Sequence, residues 1–210
     1  MNDSQPRALP LSVTMVAFEA GLGGAAVVVG GLLGHDVRVG MGWTSEAPRS
    51  QLIAIGWGVL AAGPMLVGMS LLLRWPIGPL RSLSEITRRQ VIPLFLPLSV
   101  AEKAAVAIAA GLGEELLFRG LLQAGIASWI GGEHGWWIGL AVASVLFAVC
   151  HWLNATYAVL TGLIGLYFGL LLLWTGSLWT PLVAHAVYDF VALLVLTWVE
   201  KPDTVNSYDD

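Results

Sequence analysis

The run GEELLFRG, residues 113–120, sets Glu114, Glu115 and Arg119 inside an apolar stretch. Farther along, FAVCH (147–151) and HAVYD (185–189) place His151, His185 and Asp189 in two more apolar stretches. Between residues 135 and 199, Asp189 is the one formally charged side chain. A charge near the centre of a bilayer costs about 2.5–3.5 kcal/mol on insertion scales, so such residues face a cavity and find partners. Glu114, Glu115, Arg119, His151, His185 and Asp189 are therefore expected to meet.

Helical spacing says how. Neighbours at i,i+4 lie about 40° apart around a helix axis, whereas adjacent residues lie about 100° apart. Glu115 and Arg119 share a face, with the acid N-terminal, the better order for an ion pair. Phe147 and His151 share a face, as do His185 and Asp189. Glu114 points elsewhere, so Arg119 is expected to hold Glu115 while Glu114 stays free for chemistry or for a histidine. Glu114, Glu115 and Asp189 together carry −3 and Arg119 +1, and a pocket of low dielectric does not hold that excess unrelieved. Three remedies are open. A carboxyl keeps its proton, which suits a general base or acid. The histidines are protonated. A divalent ion such as zinc binds, with Glu114, His151 and His185 as its ligands. Each residue also has a structural reading: Glu115–Arg119 as an ion pair that only joins helices, His151 as an interfacial residue, and Asp189 as a packing partner of His185.

These residues need helices to carry them. The chain has 210 residues, 57% hydrophobic and 11% charged, with mean hydropathy +0.77. Soluble domains carry roughly 25% charged residues. The expected fold is all-α, a polytopic transmembrane bundle of about six to eight membrane helices. Spans are predicted at 11–34, 51–73, 101–130, 136–153, 155–175 and 178–199, with Gly131 and Gly132 ending the third. A re-entrant piece within 91–112 would change the count by one or two. Gly162, Gly165 and Gly169 are expected at close helix contacts. Residues 74–90 hold Arg74, Arg81, Arg88 and Arg89 against Glu85, which predicts a basic cytoplasmic loop and cytoplasmic termini. Pro93 and Pro97 break the segment that follows. The organisation is thus 1–90, N-terminal helices and basic loop; 91–199, catalytic core; 200–210, acidic tail. Glu19 lies within the first span without an assigned partner. The net charge of −4 gives no case for nucleic acid, and the single Cys150 excludes a disulfide frame. Residues 1–9 carry one Arg and no clear exit site follows, so no cleavable signal peptide is expected.

In order, EELLFRG, FAVCH and HAVYD resemble the EExxxR, FxxxH and HxxxN-or-HxxxD motifs of the CAAX prenyl protease and bacteriocin-processing family, also called the abortive-infection family. The resemblance covers roughly residues 95–195. It implies an intramembrane endopeptidase of the glutamyl or metalloprotease type in the inner membrane of a prokaryote. Its partners would be membrane lipid and a protein or peptide substrate, in some members prenylated. By the resemblance, Glu114 activates a water with help from His151, His185 and Asp189 stabilise the oxyanion, and Arg119 fixes Glu115. Asp189 stands where relatives commonly carry Asn. An ionised carboxylate cannot donate to an oxyanion, which shifts Asp189 toward orienting His185 or binding metal. Two readings from other classes stand beside this one: a non-catalytic membrane immunity or scaffold protein, and a proton-coupled transporter. The predicted spans also leave His151 near a span end and Glu114 and His185 nearer the middle, so convergence needs tilted or broken helices, for which Pro181 is a candidate cause, or span ends other than these.

Overall fold

Among the described residues 10–42, 48–75 and 77–199, the computed structural model contains seven helices and no strand. They are α1 (Leu11–Leu32), α2 (Pro48–Arg74), α3 (Pro79–Phe95), α4 (Val100–Ile130), α5 (Gly132–Cys150), α6 (Ala155–Thr175) and α7 (Trp179–Val199). Helices α1, α2, α5, α6 and α7 are each long and apolar enough to cross a bilayer, and α3 with α4 adds a sixth span if that bent pair is taken as one. The chain is a polytopic helical membrane protein. The acidic tail predicted at 200–210 lies outside the described residues.

Two predicted features come out differently. The basic segment 74–90 is largely helical, because α3 begins at Pro79, in the first turn, where its missing N–H has no partner to lose. Arg81, Arg88 and Arg89 ride on this helix rather than on a loop. The break expected from both prolines falls at residues 96–99, around Pro97. Pro93 is accommodated within α3, directly after a wide π turn at Thr87–Val91. Across the break α3 and α4 are bent by 111°.

Ser99 restarts the chain as α4. Its hydroxyl accepts from the Glu102 N–H at 3.2 Å, while Glu102 Oε2 accepts from the Ser99 N–H at 2.9 Å, the reciprocal capping box. Glu102 Oε1 also accepts from the Ser12 hydroxyl at 2.6 Å, which ties α1 to the start of α4.

Helix α4 packs against α1, α5 and α7, and α7 packs against α2, α4 and α6. Small residues set these approaches, as is usual where no hydrophobic force separates helix from lipid. A Cβ built on Gly23 of α1 would lie 3.2 Å from Gly113 Cα, and one built on Gly113 would lie 3.3 Å from Glu19 Cα and closer still to its carbonyl. Gly111 faces Leu182 and Ala186 of α7 just as tightly. Gly165 and Gly169 of α6 meet Phe147 and Leu140 of α5, and Gly162 meets Ala148, as their spacing predicted. Backbone-to-backbone contact of this kind has no flexible side chain that can move aside. Gly113→Ala is expected to lower the thermal stability of the purified protein by about 1–3 kcal/mol, read as a shift of its melt in detergent. Gly24→Ala, with open space around it, is the control.

Candidate active site

Glu115 and Arg119 lie at the centre of the bundle, both 0% exposed. Arg119 Nη1 donates to Glu115 Oε1 at 3.1 Å, the pairing that i,i+4 spacing predicted. Its Nη2 donates to the Gly165 carbonyl of α6 at 2.7 Å. The guanidinium also stands over Phe147 at 4.7 Å, Phe168 at 5.4 Å and Phe118 at 5.8 Å, so ring faces rather than water surround the charge.

The helix carrying this pair is not uniformly α. Leu116–Gln123 forms a π segment inside α4, a wider turn that the 3.6-residue period does not predict. Through it Arg119 and Gln123 address α6 in step: Arg119 binds the Gly165 carbonyl and Gln123 Nε2 donates to the Gly169 carbonyl at 3.1 Å. Gln123 was missed in the sequence, although it continues the 115–119–123 spacing.

His185 of α7 reaches the same carboxylate. Its Nδ1 lies 2.9 Å from Glu115 Oε1, and its Nε2 lies 3.3 Å from Asp189 Oδ2. Phe168 stacks on the imidazole at 4.9 Å between centroids. Each ring nitrogen therefore faces a carboxylate, and both contacts are satisfied as donors in the imidazolium form. Asp189 takes the His185-facing place rather than that of a free donor. Pro181, expected to break this helix, sits in the first turn of α7 without interrupting it.

Glu114 points away from this cluster, as its 100° offset predicted. Its Oε2 is buried without a hydrogen-bond partner among the described residues and lies 3.7 Å from His151 Nε2. His151 closes α5. Its Nδ1 lies 2.9 Å from the Phe147 carbonyl, and its ring stacks on Phe147 at 4.3 Å. A carbonyl only accepts, so Nδ1 carries the proton and Nε2 is turned toward Glu114. The difficulty over depth is resolved without a kink in α7: His151 sits at the C-terminal end of α5 and meets Glu114 part-way along α4.

Glu114, His151, His185 and Asp189 line one cavity of about 1040 Å³; Glu115 and Arg119 lie behind its wall. The rest of the lining is largely apolar, from α1, α2, α3, α6 and α7. Further polar residues that the sequence did not assign to a site also line it, among them Glu19 on α1, Arg88 on α3, Tyr157 and Tyr167 on α6 and Tyr188 on α7. Glu19 comes beside Glu114 through the Gly23–Gly113 crossing, and its Oε2 is buried without a partner among the described residues. A lone acid in an apolar span was the available signal.

Glu114, His151 and His185, a zinc-ligand set in one of the three remedies left open by the sequence, all line the cavity. Both nitrogens of His185 are turned to Glu115 and Asp189, and among the described residues no three His, Cys, Asp or Glu side chains are grouped as a metal site.

Removing Arg119 leaves fully buried Glu115 with His185 as its remaining partner and without its guanidinium. Arg119→Ala is expected to cost about 3–5 kcal/mol, seen as loss of the folded fraction on detergent size-exclusion chromatography and a lowered melt. A melt equal to that of the unaltered protein would contradict the pairing.

Residues 96–191 match the family model described as type II CAAX prenyl endopeptidase Rce1-like. The segment contains all three motifs and excludes Glu19. Over 104 residues the chain is 30% identical to the uncharacterized protein YpbD of Bacillus subtilis (strain 168), covering 47% of each chain, so it spans about half the length of that curated relative. No solved structure gives a significant match.

Proposed function

We propose that this chain, whose residues 96–191 match the Rce1-like CAAX prenyl endopeptidase family model, is an intramembrane endopeptidase in which Glu114 activates the attacking water. The observation that carries the reading is the Glu114–His151 pair at the polar end of the cavity. Its 3.7 Å separation is too long for a direct hydrogen bond, and both atoms are acceptors. A water between them donates one O–H to Glu114 Oε2 and the other to His151 Nε2, which leaves its lone pair free to attack a carbonyl carbon. Glu114 takes the proton as the C–O bond forms and returns it to the leaving nitrogen as the C–N bond breaks.

The Glu115–Arg119–His185 cluster then acts as a support. It holds α4, α6 and α7 in register and offsets charge close to the reacting groups without touching substrate. The polar end of the cavity receives the scissile bond, and the apolar walls receive an apolar body on the same substrate, either a hydrophobic peptide segment or a lipid group such as a prenyl chain. A purely structural role accounts for Glu115, Arg119 and His185 but leaves the buried, unpartnered oxygen of Glu114 facing a cavity with no purpose.

Glu114→Gln keeps the shape of the side chain and removes its basicity. It is expected to abolish cleavage of a fluorogenic peptide by protein reconstituted in liposomes, with a melt close to that of the unaltered protein. Cleavage at the unaltered rate would overturn the mechanism.

A further inference from the structure

Adding water to a peptide carbonyl leaves a negative oxygen that must be met by preorganised donors. The motif residues do not supply them here. Both ring nitrogens of His185 face Glu115 and Asp189, ionised Asp189 only accepts, and Arg119 lies behind the wall of the cavity.

Near His151 a different donor is in place. The chain leaves α5 at His151, turns through residues 152–154 and enters α6, with the Leu153 N–H donating to the His151 carbonyl at 3.0 Å. Asn154 caps α6 by accepting from the Tyr157 N–H at 2.8 Å, which fixes the backbone of Tyr157 in the first turn of α6, six residues after His151. The Tyr157 ring lines the same cavity as Glu114 and His151. Its hydroxyl has no hydrogen-bond partner among the described residues. Tyr188 lines the same cavity from α7, one residue before Asp189.

We propose that Tyr157 is a catalytic residue of this site, the hydroxyl donor to the oxyanion of the scissile peptide. The proposal rests on the endopeptidase reading and adds the group that performs the work an Asn at position 189 would otherwise perform. As the water oxygen bonds to the carbonyl carbon, the C=O π electrons move onto oxygen and Tyr157 O–H hydrogen-bonds to it without giving up its proton. The water proton passes to Glu114. Collapse re-forms C=O and breaks C–N, and Glu114 passes the proton to nitrogen, giving a carboxylic acid and an amine.

The test is the kinetics of four proteins on one fluorogenic peptide: unaltered, Tyr157→Phe, Asp189→Asn and the two changes combined. Tyr157→Phe is expected to lower kcat about 100-fold with little change in KM, because the bond strengthens only in the transition state. Adding Asp189→Asn to Tyr157→Phe supplies an amide donor and is expected to recover at least about tenfold of that loss. A Tyr157→Phe kcat equal to the unaltered value overturns the proposal, as does a loss confined to KM. If Tyr157→Phe does not fold, the unaltered protein still decides: a thioamide at the scissile position, a weaker acceptor, is expected to be cut far more slowly than the amide, and equal rates overturn the proposal. Glu114→Gln run alongside separates the two levels. Full activity in Glu114→Gln overturns the endopeptidase reading and this proposal with it, whereas an inactive Glu114→Gln beside a fully active Tyr157→Phe overturns the proposal alone.

Discussion

One carboxylate oxygen organises the centre of this bundle. Glu115 Oε1 accepts from Arg119 at 3.1 Å and meets His185 at 2.9 Å, so a single buried atom joins α4 to α7. Arg119 carries the same connection on to α6 through the Gly165 carbonyl. In a low-dielectric interior none of these groups is tolerable alone, and each finds at least one charged or polar partner in the others, although Glu115 Oε2 and Arg119 Nε stay without a partner among the described residues. The three phenylalanine rings around the guanidinium add attraction for its charge while excluding water. The positions of α4, α6 and α7 are thus set by charge neutralisation, with apolar packing filling in around it.

Glu114 follows from that arrangement. Because Arg119 is committed to Glu115, the adjacent carboxylate has no arginine, and its offset around the helix turns it into the cavity. Glycines complete the geometry: Gly113 lets α1 approach α4 at backbone distance, and Gly165 lets Arg119 reach a main-chain carbonyl on α6. The π segment widens α4 where two polar side chains, Arg119 and Gln123, leave the helix toward α6. A regular α-helix satisfies the 115–119 pair, but the parallel reach of Arg119 and Gln123 to Gly165 and Gly169 comes from within the widened stretch.

The sequence made the polar cluster legible because burial in lipid leaves so few explanations for a charged side chain. The i,i+4 rule then gave the Glu115–Arg119 and His185–Asp189 contacts and the separate direction of Glu114. Other features depend on information that local spacing does not hold. The π segment has no composition of its own. The helix carrying Arg81, Arg88 and Arg89 read as a loop because positive charge near a membrane is evidence for a side of the bilayer and not for a backbone conformation. Pro181 read as a break, but a proline in a first helical turn gives up no hydrogen bond. Glu19 and Tyr157 lie outside the three motifs, and only tertiary packing brings them to the cavity.

That last pair shows how the two parts of the chain share the site. The matched segment 96–191 contributes the carboxylate, the histidines and the supporting ion pair, yet walls of the same cavity come from α1, α2 and α3. Those three helices bring mostly apolar side chains, alongside Thr14, Glu19, Ser84, Thr87 and Arg88. The matched segment and the helices before it therefore build one cavity together: Glu114, His151, His185 and Asp189 reach it from inside the segment, and much of its apolar wall comes from outside it.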